Sequence, residues 1–219
     1  MNSYVKSFVT RPVFASLFAA AMAAPALAHD HGGEPSSASP ALALEGRTLQ
    51  ADDHLVGAAD ADAELVIYAS VTCGHCGQWF TEDWPEVKAR LVEAGHLRVA
   101  LREFPTSPAQ VAVAGFMIAN CAGPDRYWSA IEHQFAQQGA TRAAFARGEG
   151  RAAFDALAAQ AGVADVQACM GDDAQFARID RAMARGEAAG VSSVPAFFLD
   201  GEPLDAYAAD DIAEALGVG

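Results

Sequence analysis

Basic residues are scarce in this chain of 219 residues, which carries 14 lysines and arginines against 28 aspartates and glutamates. Lysine is almost absent, because Lys6 and Lys88 are the only two. The formal charge of −14 would repel nucleic acids and anionic lipids, so we expect neither as a partner. The acidic surface otherwise favours solubility and does not define a function.

Long hydrophobic runs are also missing, apart from one near the N-terminus. Residues 12–24 form that run, which is too short to span a bilayer comfortably. The basic residues Lys6 and Arg11 precede it, and an A-x-A cleavage site that ends at Ala28 follows it. This pattern predicts a secretory signal peptide over residues 1–28, cleaved after Ala28, rather than an uncleaved anchor.

Proline, glycine, serine and alanine dominate the next segment, and we predict a flexible leader over residues 29–50. Within it, residues 47–50 are a candidate for a short edge strand. Cleavage after the signal would leave His29 at the new terminus and His31 at its third position. A free amine followed by such a histidine can hold Cu(II) or Ni(II) in a square-planar set of nitrogens. The alternative is that both histidines are simply solvated.

Cysteine is rare as well, with four residues that all follow the predicted signal peptide. An even number of cysteines outside the reducing cytosol suits a protein with disulfides. Cys73 and Cys76 form a C-x-x-C pair, and neither a second such pair nor a C-x-x-H pair follows them in the sequence. As half of a zinc site, the pair would have no second pair of ligands downstream, which argues against zinc binding. An inert structural disulfide stays open as an alternative.

The C-x-x-C pair lies between a predicted strand and a predicted helix. Residues 65–69 form a continuous apolar run typical of a central strand, and residues 78–91 have helical character. A helix N-terminus offers free N–H groups and the positive end of the helix dipole, which stabilise a thiolate. We expect an exposed, nucleophilic Cys73 and a covered Cys76, an arrangement that predicts redox catalysis of the thioredoxin kind.

The remaining patterns predict one further strand at residues 97–101 and then a long series of helices. Ser107 is the predicted N-cap of the first helix, with Pro108 at its first position. Apolar residues at helical spacing, of which Phe176 is one, predict core positions. Strand signals return near the C-terminus on both sides of Asp200 and Gly201, where they predict a hairpin. A closing helix over residues 208–216 completes a domain of residues 51–219.

These motifs together resemble the DsbA family of bacterial thiol:disulfide oxidoreductases, and more narrowly its DsbA-like thioredoxin branch common in alphaproteobacteria. The segments that carry the resemblance are Cys73-Gly74-His75-Cys76, Leu101-Arg102-Glu103-Phe104-Pro105, Cys121-Ala122-Gly123-Pro124 and Ser193-Val194-Pro195-Ala196-Phe197-Phe198-Leu199-Asp200-Gly201. The resemblance extends from about residue 53 to the C-terminus. It implies a thioredoxin fold, of class α/β, with an inserted all-helical subdomain at about residues 105–190.

The resemblance also implies roles for particular residues. Val194 and Pro195, joined by a cis peptide bond, would face the C-x-x-C pair, and the Val194 backbone would bind an extended substrate. Cys121 and Cys169 would form a structural disulfide, the alternative being two free buried cysteines. No cofactor is implied beyond the redox-active disulfide of the C-x-x-C pair.

The sequence departs from the family pattern at two places. Many members have proline where Gly74 stands, and the Gly-His pair found here is typical of protein disulfide isomerase. Many also carry a glutamate six residues before the first cysteine, where this chain has Ile67. That carboxylate usually helps to move the thiol protons. Glu103 and Asp83 are candidate substitutes, although a solvated or salt-bridged role suits each of them.

The resemblance implies a periplasmic thiol:disulfide oxidoreductase that introduces disulfides into reduced exported polypeptides by exchange at Cys73 and Cys76. His75 would help to stabilise the Cys73 thiolate, or would simply be solvated. A quinone-linked membrane protein of the DsbB type would reoxidise the enzyme, and we expect a monomer. The first alternative is a disulfide isomerase or reductase of the same fold, because the usual proline is missing. The second is a copper-binding periplasmic protein that uses His29 and His31.

Overall fold

The computed structural model of the protein describes residues 39–218. Its strands are Leu55–Val56 (β1), Ala63–Ala69 (β2), Leu97–Glu103 (β3), Ala196–Leu199 (β4) and Glu202–Leu204 (β5). Its helices are Pro40–Glu45 (α1), Gly74–Glu82 (α2), Trp84–Val87 (α3), Ala109–Cys121 (α4), Pro124–Ala136 (α5), Gln138–Ala146 (α6), Gly150–Ala161 (α7), Val166–Met170 (α8), Asp173–Ala188 (α9) and Ala209–Leu216 (α10), and a π-helical turn at Lys88–Val92 continues α3. The predicted signal peptide and the candidate metal ligands His29 and His31 lie outside the described residues.

The five strands form one sheet in the order β1-β3-β2-β4-β5. The central strand β2 is parallel to β3 and antiparallel to β4. Residues 65–69 of β2 are fully buried, as a continuous apolar run predicts for a strand covered on both faces. The helices α4 to α9 all lie in the connection between β3 and β4. The predicted α/β class with an inserted helical subdomain is therefore confirmed.

Stacked aromatic rings join the first helices of the domain to the inserted subdomain. Phe80 of α2 stacks on Phe135 of α5, with 4.1 Å between the ring centroids. Trp84 of α3 stacks on Trp128 of α5 at 5.1 Å. Such rings bury large apolar surfaces in a defined relative geometry. The helix that follows the C-x-x-C pair is thus fixed against the insertion as well as against the sheet.

The segment before β1 differs from the prediction of a flexible leader that continues to residue 50. The helix α1 packs against α9, and the chain after α1 is held by Arg102, whose side chain is 1% exposed. Arg102 donates hydrogen bonds to the carbonyls of Glu45 and Thr48, and it pairs with Asp53 at 2.7 Å. The edge strand predicted at residues 47–50 is also wrong, because the Thr48 carbonyl accepts a hydrogen bond from the Arg102 side chain and the edge strand beside β3 is β1.

The helix predicted over residues 78–91 is a series of shorter elements, and its first part begins earlier, at Gly74. α2 ends at Glu82, and Asp83 separates it from α3. Pro85 lies in the first turn of α3, where its missing N–H leaves no bond to the preceding turn. Apolar side chains keep helical spacing across this junction, so the break could not be predicted from periodicity.

The first helix of the inserted subdomain begins one residue later than predicted. Pro108 is the N-cap of α4, and a cis peptide bond joins Ser107 to it. The assignment of Ser107 as N-cap was therefore wrong. Farther along the insertion, Phe176 is 39% exposed rather than part of the core, since it lies in the first turn of α9 at the surface.

The C-terminal hairpin forms as predicted from β4 and β5. Asp200 and Gly201 connect the strands with φ angles of 49° and 84°. Two successive positive φ angles give the turn whose twist matches adjacent strands, and Asp-Gly is a preferred pair for it. Ala196 of β4 lies opposite Tyr68 of β2, so the residues just before β4 reach the end of β2 from which the C-x-x-C pair emerges.

Candidate active site

Cys73 lies between β2 and α2, where it is the N-cap residue of the helix. Its backbone is extended, and its carbonyl accepts a helical hydrogen bond from the N–H of Gly77 at 3.0 Å. The Cys73 N–H donates to the carbonyl of Ser70 at 3.0 Å, which fixes the loop that leaves β2. Cys73 is therefore held at the positive end of the α2 dipole, where a thiolate is stabilised.

Exposure separates the two cysteines of the pair. Cys73 is partly exposed, whereas Cys76, one turn into α2, is fully buried. Burial raises the pKa of the Cys76 thiol well above its ordinary value of 9.0, and this effect outweighs a hydrogen bond with the Ser70 backbone. Cys76 is consequently a protonated thiol at neutral pH, and Cys73 is the sulfur that a large partner can reach.

Val194 and Pro195 lie beside this pair, joined by a cis peptide bond just before β4. The Cys73 thiol donates a hydrogen bond to the carbonyl of Val194 at 3.4 Å. Val194 is mostly buried and Pro195 is partly exposed. Proline has no N–H, so Pro195 cannot donate a hydrogen bond to a neighbouring strand. Regular sheet pairing is therefore interrupted directly after Val194.

Hydroxyl side chains brace the loop that precedes Cys73. The buried Ser70 Oγ lies 3.0 Å from Thr72 Oγ1 and accepts a hydrogen bond from the N–H of Thr106 at 3.1 Å. Thr72 Oγ1 also donates to the Thr106 carbonyl at 3.1 Å. Thr106 belongs to the segment that leads from β3 into α4, so these bonds tie the loop to the start of the insertion. No local sequence pattern marks such a contact.

Gln138, the first residue of α6, reaches the same loop from the helical insertion. Its side-chain amide donates to the carbonyl of Val71 at 2.9 Å and to that of Cys73 at 2.8 Å. This residue could not be predicted from apolar periodicity. The indirect signal is Gly77, because any side chain at that position would overlap the Gln138 amide.

The other residues considered for proton transfer make no hydrogen bond to either cysteine within residues 39–218. His75 is exposed on the first turn of α2. Glu103 is 1% exposed and accepts a hydrogen bond from the Tyr127 hydroxyl at 3.0 Å, with Arg178 Nε at 3.7 Å. Asp83 lies at the far end of α2, where burial and neighbouring carboxylates raise its pKa. Neither carboxylate takes the place of the family glutamate, and Ile67 is fully buried.

An apolar cleft of about 120 Å³ opens beside the loop that carries Cys73. Val71 and Thr72 of that loop form one side, and α4, α6 and α7 form the other. The aromatic rings of Phe145 and Phe154 contribute much of the apolar wall. Arg142, an exposed residue of α6, lies at its edge. The cleft is suited to an apolar side chain of a molecule bound at the cysteine pair.

The other two cysteines form a disulfide inside the helical insertion. Cys121 is the last residue of α4 and Cys169 lies in α8, with their Cα atoms 6.0 Å apart. The two residues are separated by 48 positions in the sequence, so the bond closes a large loop of the subdomain. Cys169 is buried, which shields the bond from other thiols.

Residues 39–218 contain no group of three or more histidine, cysteine or carboxylate side chains arranged to hold a metal ion. In the same part of the chain, no helix combines the length and apolar character needed to cross a membrane. His29 and His31 fall outside these residues, so a copper or nickel site at the N-terminus stays a prediction.

Solved structures with a similar fold include two enzymes of disulfide exchange. Alpha-DsbA1 of Wolbachia pipientis has a TM-score of 0.71 and 17% sequence identity, covering 80% of this chain and 94% of that chain. A protein-disulfide isomerase of Novosphingobium aromaticivorans has a TM-score of 0.64 and 22% identity, covering 74% of this chain and 96% of that chain. The fold is thus a DsbA-like thioredoxin fold.

Sequence comparison gives a relative and a family. The Na(+)/H(+) antiporter NhaA of Herminiimonas arsenicoxydans is 27% identical over 155 residues, or 69% of this chain. The chain spans only 23% of the length of that relative. A family model described as thioredoxin matches residues 49–217, which include the whole sheet and the C-x-x-C pair. The chain therefore belongs to this thioredoxin family, in the DsbA-like form of its fold.

Proposed function

We propose that the protein is a periplasmic thiol–disulfide oxidoreductase that introduces disulfides into exported polypeptides by exchange at Cys73 and Cys76. One observation carries the proposal. A partly exposed Cys73 begins a helix and is hydrogen-bonded to the Val194 carbonyl, while its partner Cys76 is buried and protonated. The pair thereby combines an accessible sulfur, a backbone contact for a substrate and a protected second thiol.

The first step begins from the oxidised enzyme, in which a disulfide joins Cys73 and Cys76. A substrate thiolate attacks the sulfur of Cys73, because that sulfur is the accessible one. The bond between the two enzyme cysteines breaks, and the Cys76 sulfur takes the electron pair and then a proton. The raised pKa of buried Cys76 favours this protonation. The product is a mixed disulfide between the substrate and Cys73.

In the second step another substrate thiolate attacks the substrate sulfur of the mixed disulfide. Cys73 leaves with the electron pair as a thiolate, which the N-terminus of α2 stabilises and the nearby His75 assists. The substrate has lost two electrons and gained a disulfide, and the enzyme holds those electrons as two reduced cysteines. If no second substrate thiol arrives, Cys76 can attack Cys73 and release the substrate in reduced form.

Substrate binding would use the backbone of Val194 and the apolar cleft. An extended polypeptide can pair with the free backbone groups beside a cis-proline, which depends on main-chain atoms and therefore accepts many sequences. The cleft beside Cys73 would take an apolar side chain from the same polypeptide. Unfolded chains expose both kinds of group, so newly exported polypeptides fit this site better than folded proteins.

The cycle needs an oxidant, because each turnover leaves two electrons on the enzyme. We propose that a quinone-linked membrane protein of the DsbB type accepts them from the reduced cysteine pair. The sulfur atoms carry the electrons themselves, so the reaction requires no further cofactor, and the complete site within one chain supports action as a monomer. The predicted signal peptide over residues 1–28 would deliver the protein to the periplasm.

Alanine variants of the two cysteines test the proposal through oxidation of a reduced, unfolded protein. Cys73→Ala should abolish disulfide formation, since no other accessible sulfur lies in the site. Cys76→Ala cannot form the internal disulfide, so its Cys73 is first converted to a mixed disulfide with glutathione by oxidised glutathione. A substrate thiolate then displaces glutathione from Cys73, and the resulting mixed disulfide with substrate, which Cys76 can no longer resolve, should accumulate on a non-reducing gel. The matched control removes both Cys121 and Cys169, and it should keep exchange activity. Wild-type rates in Cys73→Ala would refute the proposal.

Isomerisation of existing disulfides is the second candidate function. Gly74 and His75 separate the cysteines, and this pair is the one typical of protein disulfide isomerase. The likeness to a protein-disulfide isomerase structure agrees with that reading at the level of fold. An isomerase needs its cysteines reduced at rest, whereas an oxidase needs them oxidised, so the reduction potential of the pair distinguishes the two.

A further inference from the structure

Two glutamines four residues apart each lie against a glycine of a neighbouring helix. A Cβ atom on Gly115 of α4 would stand 2.6 Å from Gln134 Oε1, and a Cβ atom on Gly77 of α2 would overlap Gln138 Oε1. Gln134 belongs to α5, and Gln138 begins α6. In both places the absence of a side chain on the glycine admits an amide into the interface between helices.

The two amides differ in what they bind. Gln134 donates to the carbonyl of Gly115 at 3.0 Å, so its contact stays within the helical insertion. Gln138 instead donates to the carbonyls of Val71 and Cys73, at 2.9 and 2.8 Å. One glutamine therefore connects two inserted helices, and the other connects the insertion to the backbone of the reacting cysteine.

We propose that Gln138 is a positioning residue that sets the reactivity of Cys73 from the helical insertion. The inference rests on the redox function proposed above. The Cys73 carbonyl accepts hydrogen bonds from both the Gly77 N–H and the Gln138 amide. These donors fix the orientation of the N-cap peptide and hence the direction in which the N–H groups of the first turn of α2 point.

The effect of Gln138 on a thiolate follows from the charges involved. Carbonyl oxygens carry partial negative charge and destabilise a nearby thiolate, whereas amide N–H groups stabilise it. The hydrogen bonds from Gln138 hold the Val71 and Cys73 carbonyls toward its amide nitrogen and restrict their rotation in the loop. Loss of this donor removes the Gln138 bond to the Val71 carbonyl and leaves the Cys73 carbonyl with the Gly77 N–H, so both carbonyls are held less firmly and the reduced enzyme with a Cys73 thiolate becomes less stable. The reduction potential of the pair must then become more negative, because the loss destabilises the reduced form.

The test compares Gln138→Ala and Gln138→Glu with the wild type. The alanine variant removes the donor, and the glutamate variant keeps the size of the side chain but replaces the donor with a negative charge. The rate of Cys73 alkylation is followed against pH by peptide mass spectrometry. We expect the midpoint of this profile to move to higher pH, with a fall in the thiolate fraction of about fivefold for the alanine variant and more for the glutamate variant. The equilibrium with glutathione should shift toward the disulfide form by a similar factor.

Gln134→Ala is the matched control, because it removes an amide of the same chemistry that also lies against a glycine. Its midpoint of thermal unfolding should fall while its alkylation profile and its equilibrium with glutathione stay at wild-type values. Gln138→Glu keeps the measurement available if Gln138→Ala does not fold. Wild-type profiles in both Gln138 variants, or an equal shift in Gln134→Ala, would overturn the inference.

Failure of this inference can be told apart from failure of the proposed function. Alkylation reports on the Cys73 sulfur alone and requires neither a protein substrate nor a reoxidant. A wild-type enzyme that oxidises no substrate, combined with a clear shift in the Gln138 variants, would refute the oxidase function and keep the role of Gln138. An active wild-type enzyme with unshifted variants would refute only the role of Gln138.

Discussion

The partly buried His54 and the fully buried Glu103 lie in one polar cluster, and burial disfavours the charged form of each. His54 stacks on Tyr127 with ring centroids 4.0 Å apart, and the Tyr127 hydroxyl donates to Glu103. Burial lowers the pKa of His54 to about 4, with help from the charge of Arg178. Burial also raises the pKa of Glu103, outweighing the opposite effect of Arg178. Glu103 makes its hydrogen bond and its ion pair within this cluster and makes no hydrogen bond to the cysteine pair among the described residues.

The His54 side chain makes stability depend on pH on the acid side. Its pKa is 6.5 in the unfolded chain and about 4 in the folded protein, so the unfolded state binds a proton first. The stability that neutral His54 contributes is complete above pH 6.5 and is lost as the pH falls through about 4. His54→Gln cannot take up this proton and keeps an amide donor for Asn120 Oδ1, the group that His54 Nε2 contacts at 3.1 Å.

Urea unfolding at several pH values between about 7 and 4 measures this effect. The free energy of unfolding should fall more steeply in the wild type than in His54→Gln over that range. Other acid-sensitive groups act in both proteins and cancel in the difference. Parallel curves for the two proteins would show that His54 takes up its proton equally easily in the folded and unfolded states.

At the scale of secondary structure elements, the disulfide between α4 and α8 is the main covalent constraint on the insertion. Cys121 and Cys169 close a loop with a sequence separation of 48. In the chain-entropy account, such a loop contributes roughly 3–4 kcal/mol to stability. The variant with alanine at both positions should lose about that much free energy of unfolding in urea. A loss below about 1 kcal/mol would mean that the packing of the insertion alone fixes these helices.

The elements that could be predicted are those whose signal is local. The apolar run of β2 before the C-x-x-C pair, and Asp200-Gly201 between β4 and β5, each determine their own structure within a few residues. The segment from α1 to β1 could not be predicted, because Arg102 holds it from a distant strand. The break between α2 and α3 could not be predicted from apolar periodicity, because the apolar spacing continues through it.

The same distinction applies to the candidate site. Cys73 and Cys76 are identified by their C-x-x-C spacing, and Val194 is identified by the resemblance to a family. Gln138 and Thr106 act through contacts between elements that are far apart in the chain. Neither residue belongs to a motif, because a hydrogen bond to a backbone carbonyl places no demand on neighbouring side chains. Their positions follow only from the packed structure.

At the scale of the whole molecule, two parts of the fold meet at the cysteine pair. The sheet positions Cys73, in the loop between β2 and α2, and Val194, just before β4. The insertion supplies Gln138 and most of the apolar cleft. The insertion therefore contributes to the surroundings of the cysteine pair together with the sheet, and we expect it to influence both substrate binding and potential.

The direction of the reaction is the property in which these contributions combine, and the reduction potential measures it. A partly exposed Cys73 at the N-terminus of α2, next to a buried Cys76 that keeps its proton, favours the reduced state of the pair. A stabilised reduced form makes the disulfide a strong oxidant, so we expect a value near about −120 mV. Equilibration with glutathione buffers gives the potential, and the fluorescence of buried Trp79 and Trp84 can report the redox state.

The outcome of that titration separates the candidate functions. A potential near about −120 mV would support donation of disulfides to exported polypeptides, since such a disulfide is easily reduced by substrate thiols. A value near about −180 mV would favour isomerisation. It would also indicate that the Gly74-His75 pair influences the potential more than the stabilisation of the reduced cysteines does. A value near about −270 mV would indicate a reductase and refute the oxidase function. The variant Cys73→Ala is the control, because a fluorescence change that persists without Cys73 would not report on the pair.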